Sequence, residues 1–348
     1  MKPELNVALV GYGFVGKVFH APLIQATPGL SLHTVVSGDS GKVLADHAQV
    51  RVVAEAQAAF ADPAIDLVVI AAPNAVHAPL AQAALAQGKH VVVDKPFTLD
   101  LAQAREVIAA AARADRIVSV FQNRRWDADF LTLRSLLDAG TLGEVSECHS
   151  HFDRNRPQVA DRWREKDQPG SGLWYDLGPH LLDQAVQLFG MPDAVFADIG
   201  RQRQDAQADD YFNVLLRYPR LRVVLHGGSL VPAHGLRFAV HGSGGSYLKH
   251  GMDPQEGALR LGRIPGESGW GEDPRPGELH IAGPDGLAVG SVDGIAGNYL
   301  RYYQAMHAAI TATQPPPVTA QQALQVMALL DNARESAAQR REIDCVDP

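Results

Sequence analysis

Two short stretches carry residue types suited to moving a proton. The first is Asp94-Lys95-Pro96, which follows Val91-Val92-Val93. Three β-branched residues in a row read as a buried strand, and Pro96 cannot continue its ladder. Lys95 is therefore expected at the carboxyl end of a strand, the edge where open α/β sheets bind ligands. There it can hydrogen-bond a substrate hydroxyl and serve as acid or base. The plain alternative is a surface lysine in a turn. The second stretch runs from Trp174 to Asp183. A helix predicted from about Gly172 to Phe189 puts Asp176, His180 and Asp183 on one face. A carboxylate beside an imidazole fixes the ring's tautomer and favours its protonated form, which is a general acid/base arrangement. A capping aspartate with a satisfied histidine is the plain alternative. Zinc is a rival, but no second His or Cys cluster completes a ligand set, so no metal site is expected.

The elements that must position these residues begin with Leu5–Val10, a short apolar strand. It runs into Gly11-Tyr12-Gly13-Phe14-Val15-Gly16, a GxGxxG. Gly11 permits a tight turn, Gly13 lets a pyrophosphate approach the backbone, and Gly16 lets the next helix pack close to the strand. The helix N-terminus offers free N–H groups to phosphate. Phe14 and Val15 complete the candidate cofactor loop. The next predicted strand, Leu32–Val36, ends in Ser37-Gly38-Asp39-Ser40-Gly41-Lys42. NAD-specific folds usually place a carboxylate at that strand end. Asp39 comes slightly late, whereas Ser37, Ser40 and Lys42 suit a 2′-phosphate, so NADP is expected, with NAD the alternative. Asp66–Ala72 is another predicted strand, with Pro73, Asn74 and His77 at its carboxyl end as candidate cofactor contacts. Asn74 could cap the next helix or touch the cofactor ribose. With a helix over Asp100–Asp115 and a strand over Ile117–Val120, the β-α alternation implies a doubly wound parallel sheet.

A polar stretch, Gln122-Asn123-Arg124-Arg125-Trp126, closes the predicted dinucleotide-binding domain, 1–121. The second domain, 122–348, reads as α+β. Helices are predicted over Asp127–Ala139, Asn298–Ala312 and Thr319–Ala338, the last packing back towards the first domain. Strands over 144–152, 194–200, 211–218, 221–227 and 236–241 suit a large, mostly antiparallel sheet, and 249–277 reads as a long loop. The segment 153–169 carries Arg154, Arg156, Arg162 and Arg164 around Trp163. It is either a solvated loop or one that covers the cofactor.

Bulk properties narrow the class. A net charge of −8 over 348 residues argues against a nucleic-acid surface. No apolar run reaches the length of a bilayer span, and no signal-peptide core precedes the first strand. Two cysteines, Cys148 and Cys345, make no disulfide framework. A cytoplasmic enzyme is expected, without nucleic-acid or membrane partners. A sheet with one free face suggests a homodimer or homotetramer.

The GxGxxG domain, Asp94-Lys95-Pro96, and Asp176-x-x-x-His180 on a helix before a large sheet together resemble the Gfo/Idh/MocA oxidoreductases over essentially the whole chain. Gly11–Ile24, Gln122–Leu133, Phe152–Glu165 and Trp174–Asp183 are similar to the branch that includes NADP-dependent scyllo-inositol dehydrogenases. The resemblance implies a Rossmann domain plus a substrate-binding and oligomerisation domain. It implies hydride transfer between nicotinamide and a secondary alcohol of a cyclic polyol or sugar, such as scyllo-inositol. Lys95 would contact the reacting hydroxyl and the nicotinamide ribose, and His180 would be the acid/base beside Asp176. Asp183, Asn123, Arg124 and Arg154 would be substrate ligands; Asp94, Arg162 and Trp163 would approach the cofactor. Asp94 stands where the family usually has glutamate, and Gly38 where an NADP-using relative could carry a basic residue. The alternatives are the same chemistry on another sugar or carbonyl compound, and a non-catalytic NAD(P)-binding redox sensor.

Overall fold

The computed structural model describes residues 4–233, 235–283 and 286–348. The chain divides into two compact units. Unit 1 holds the residues up to Asn123 together with Gln255–Trp270 and Asn298–Leu324. Unit 2 holds Arg124–Pro254, Gly271–Gly297 and Gln325–Pro348.

Unit 1 opens with β1 (Leu5–Val10), then the glycine loop and a π-helical turn, Gly16–His20, that continues as α1 (Ala21–Gln25). There follow β2 (Leu30–Val36), α2 (Ser40–Asp46), β3 (Arg51–Val53), α3 (Ala56–Phe60), β4 (Leu67–Ile70) and α4 (His77–Ala86). Then come β5 (His90–Val93), α5 (Leu101–Ala114) and β6 (Val118–Val120). Among the described residues these six strands form one sheet in the order β3-β2-β1-β4-β5-β6, every pair parallel. All of β4 and Val91–Val93 are buried, as helices covering both faces of a parallel sheet require. Asp100 caps α5, accepting from Gln103 N at 2.8 Å. By contrast α4 has no side-chain cap; Asn74 opens a 3₁₀ turn, Asn74–Val76, ahead of it.

Unit 2 contains α6 (Ala128–Asp138), β7 (Val145–His151), α7 (Gly172–Phe189), β8 (Ala194–Gly200), β9 (Tyr211–Arg217), β10 (Arg222–Gly228) and β11 (Leu236–Gly242). It adds β12 (Gly245–His250), β13 (Gly277–Gly283), β14 (Gly286–Val292) and β15 (Ile343–Asp344). Among the described residues these nine strands run β14-β13-β12-β11-β7-β10-β9-β8-β15. β7 and β10 are parallel; the other neighbouring pairs are antiparallel. The face towards α7 is fixed by Phe212, which opposes Gly227 and meets the Trp174 ring edge-on at 5.0 Å.

Two regions differ from expectation. β12, β13 and β14 were not anticipated: β14 is exposed along almost its whole length, so no buried-face alternation marks it. The segment 249–277, read as a loop, begins inside β12 and holds α8 (Gln255–Arg260), a helix too short for a periodic signal. The last helix, α10 (Ala320–Gln339), lies in unit 2 from Gln325 onward. There Leu330 O accepts from Trp174 Nε1 at 3.2 Å and Ser336 Oγ accepts from Ala197 N at 2.9 Å. The helix that returns to unit 1 is α9 (Leu300–Ala312). It and the preceding residue bury Tyr299, Tyr302 and Tyr303, and Tyr302 donates to Ser119 Oγ at 3.1 Å.

Candidate functional site

The carboxyl edge of the unit 1 sheet brings the loop and Lys95 together. Val10 pairs with Ile70 and Ile70 with Val93, so β1, β4 and β5 end level. Gly11, Ala71 and Asp94 follow at that edge, with Ala71 N bonded to Val10 O and Asp94 N to Ile70 O. β1 lies between β2 and β4, the point where the strand order reverses and dinucleotides bind. Gly11 has φ +97°, and a Cβ there would lie 2.5 Å from Ala71 O. A Cβ on Gly16 would lie 2.1 Å from Gly11 O. Gly13 is exposed, and a Cβ there would meet nothing within 4 Å. Phe14 is exposed, with the Arg260 guanidinium 4.7 Å over its ring, and Val15 precedes the π-helical turn.

Lys42 reaches back to this loop, its Nζ donating to Tyr12 O at 3.0 Å. Ser37 Oγ is tied into its own turn by Asp39 N at 3.1 Å. Asp39 caps α2, and Ser40 is that helix's first residue. These residues fit an NAD(P) dinucleotide: the space over Gly13 admits a pyrophosphate and an ammonium stands at the loop.

Lys95 is partly exposed, while Val91–Asp94 before it and Pro96–Thr98 after it are buried. The Lys95–Pro96 peptide is cis. Beneath Lys95, Asp94 Oδ1 lies 3.8 Å from His20 Nε2, and His20 Nδ1 lies 2.6 Å from Tyr303 OH. Burial alone would raise the Asp94 carboxyl, but the imidazole of His20 and the charge of Lys95 hold it below the usual carboxylate range. The sequence reading missed His20 and Tyr303, since one lies on the first helix and the other far along the chain. Pro73 precedes the 3₁₀ turn and Asn74 is buried within it. His77 requires a correction. Its ring is fully buried, with Nδ1 2.8 Å from Pro96 O and Nε2 2.9 Å from Ala72 O. It fastens the segments after β4 and β5 to each other and has no surface to offer a cofactor.

The unit 2 residues gather around α7. Asp176 and His180 lie one turn apart on it, Asp176 partly exposed and His180 buried. Asp176 sits between two guanidiniums: Arg154 Nη1 donates to its Oδ2 at 3.1 Å, and Arg164 Nε is 3.6 Å from Oδ1. Arg164 also stacks over the Trp163 ring at 4.4 Å. Arg162 pairs with Glu165 at 2.6 Å and is half exposed. Arg154, Arg162, Arg164, Glu165, Asp176 and Asp209 line a narrow cleft with a cavity of about 20 Å³. Asp209 caps α7: Leu173 N donates to its backbone oxygen at 2.8 Å and Trp174 N to Oδ1 at 2.6 Å. Burial pushes its carboxyl up to about 6. The arginine-rich loop was legible in the sequence; Arg164 and Asp209 as partners of α7 were not.

Asp183 also requires a correction. Both of its oxygens accept from the Arg125 guanidinium, Oδ2 from Nε at 2.8 Å and Oδ1 from Nη2 at 2.6 Å, in a buried pair. A carboxylate so engaged and without exposed surface is a structural anchor and not a sugar ligand. Asn123, the last residue of its unit 1 segment, is buried. Arg124 is buried in unit 2, donating to Asp127 at 3.1 Å with its guanidinium 4.7 Å over the Phe152 ring.

Residues 5–122 match the family model described as "Oxidoreductase family, NAD-binding Rossmann fold", and residues 134–345 match "Oxidoreductase family, C-terminal alpha/beta domain", both of the Gfo/Idh/MocA group. The chain belongs to the Gfo/Idh/MocA oxidoreductase family. Among its relatives, the oxidoreductase YdgJ of Escherichia coli is 52% identical over 98% of each chain. The Bacillus subtilis scyllo-inositol 2-dehydrogenase (NADP(+)) IolW is 37% identical over 97% of this chain and 95% of that protein. A Yersinia pestis oxidoreductase of known structure superposes with a TM-score of 0.96 at 48% identity, covering 100% of this chain and 99% of that one. The protein is thus an NAD(P)-binding Gfo/Idh/MocA oxidoreductase, with a six-stranded parallel Rossmann sheet and a nine-stranded, mostly antiparallel sheet among its described residues. Among the described residues no helix is long and apolar enough to cross a membrane.

Proposed function

We propose that the protein oxidises a secondary alcohol of a cyclic polyol or sugar, scyllo-inositol first, with NADP(H) as coenzyme. The observation that carries the reading is the level ending of β1, β4 and β5, which puts Lys95 on the same sheet edge as the glycine loop. Similarity to IolW across nearly the whole chain supports the polyol, and Lys42 beside Tyr12 supports the 2′-phosphate.

When bound, the nicotinamide supplies hydride transfer. The chain's own residues bind and polarise. Gly11, Gly13 and Gly16 keep backbone close to the pyrophosphate. Lys95 donates to the alcohol oxygen and stabilises the charge that develops on it. His180 takes the hydroxyl proton, and Asp176 keeps that imidazole oriented. Arg154 and Arg164 in turn hold the Asp176 carboxylate. The test is a panel of polyols and sugars offered with NADP or NAD, read as reduced nicotinamide. Turnover of another sugar alone would keep the chemistry and replace the substrate. Cofactor binding without turnover of any member would favour a redox sensor.

A further inference from the structure

A second group of chemically able side chains lies on the unit 2 sheet. Among the described residues, His151, Asp153 and His226 each place a ligand atom within 4.8 Å of the other two. The register explains why. β7 and β10 are adjacent and parallel, and His226 pairs with His151. Adjacent strands lie about 4.8 Å apart, so the two imidazoles rise side by side. Gly227 faces the α7 side with Phe212, so His226, one residue earlier, points to the opposite face. Asp153 is two residues beyond His151, and its carboxylate stands between the two rings.

His151 Nδ1 is 3.1 Å from Asp153 Oδ2, and His226 Nδ1 is 2.7 Å from Oδ1. Both rings thus aim the same nitrogen at one carboxylate. The ring centroids are 5.1 Å apart, and Tyr211 braces the His226 ring edge-on at 5.5 Å. Among the described residues neither lysine nor arginine pairs with Asp153. The cluster presents one carboxylate and two imidazoles.

We propose that His151, Asp153 and His226 form a binding site for a first-row divalent cation such as Zn²⁺. Two histidines and one carboxylate are a recurrent ligand set for zinc and for other first-row metals that keep an open position. Zinc bonds of about 2.0–2.1 Å at tetrahedral angles put neighbouring ligand atoms roughly 3.3 Å apart. The two histidine–carboxylate separations, 3.1 and 2.7 Å, need about 0.2 and 0.6 Å of expansion to reach that value, and the ligand atoms all lie within 4.8 Å of one another. On binding, each Nδ1 proton shared with Asp153 moves to Nε2, and the freed Nδ1 lone pair takes the metal. A cation there clips the carboxyl end of β7 to β10, and its remaining position faces outward from the sheet.

The test is calorimetric titration of untagged, full-length protein with ZnCl₂, with Co²⁺ visible absorbance as a second measurement. The expected result is one saturable site per chain and a Co²⁺ ligand-field band. D153N and H226N each weaken binding at least ~10-fold, whereas H149A, which removes a nearby, partly exposed histidine, leaves it unchanged. Zn²⁺ also raises the melting temperature of the parent protein and not that of D153N. Melting without metal shows that each variant folds. Absence of saturable binding by the parent, or full affinity in folded D153N and H226N, overturns the proposal.

Discussion

The Arg125 guanidinium grips both oxygens of Asp183, at 2.8 and 2.6 Å, and neither side chain is more than 7% exposed. This pair joins the 3₁₀ turn Asn123–Trp126 to the middle of α7, the helix that carries Asp176 and His180. Removing one partner of a buried pair leaves an uncompensated charge, at a cost of about 3–5 kcal/mol. D183A is expected to lose that much in urea denaturation. A loss under about 1 kcal/mol would show that the pair is no anchor.

The glycine loop separates fold from binding. A Cβ on Gly13 meets nothing within 4 Å, whereas one on Gly16 would lie 2.1 Å from Gly11 O. G13A is expected to keep its stability within about 0.5 kcal/mol and to bind NADP more weakly, because the methyl group stands where the pyrophosphate approaches. G16A is expected to lose about 1–3 kcal/mol through forced backbone shifts. Denaturation curves and fluorescence titration of the two variants check both statements; unchanged NADP affinity in G13A contradicts the assigned role.

Most of unit 1 was legible in the sequence because its strands are apolar runs punctuated by Gly, Pro and Asp. Leu5–Val10 and the helix after Asp100 stand where the pattern put them. The C-terminal sheet was only half visible, since β14 buries almost nothing. At the candidate site, residue type was legible and engagement was not. Nothing local marks Asp183 as bound by Arg125, 58 positions away, or His77 as spent on two backbone carbonyls. Both choices are made by tertiary packing, which motif spacing does not contain.

Asp209 gives the α7 cap a pH dependence. Its carboxyl is raised by burial to about 6 from the ordinary 3.8. Between those values the folded state holds a proton that the unfolded state has released, so stability falls as pH rises through that window. The contribution is present below about pH 4 and gone above about pH 6. D209N keeps an acceptor for Trp174 N without the charge. Relative to the parent, it is expected to gain on the order of 2 kcal/mol between pH 4 and 7. Parallel stability–pH curves for the two proteins contradict the assignment.

Lys95 is assigned the charge that develops on the substrate oxygen. K95M removes the donor while keeping a similar length and is expected to lower kcat by at least ~10²-fold, with NADP binding kept within a few-fold. Steady-state rates beside fluorescence titration of NADP check this; near-parental turnover removes Lys95 from the chemistry.

The central claim is tested most directly by absorbance at the reduced-nicotinamide band. Purified protein is incubated with NADP or NAD and, separately, scyllo-inositol, myo-inositol, glucose and a set of other sugars. Formation of NADPH with scyllo-inositol, faster than NADH formation, is the predicted result. No reduction of either coenzyme by any polyol or sugar, from protein that still binds the dinucleotide, would contradict the account.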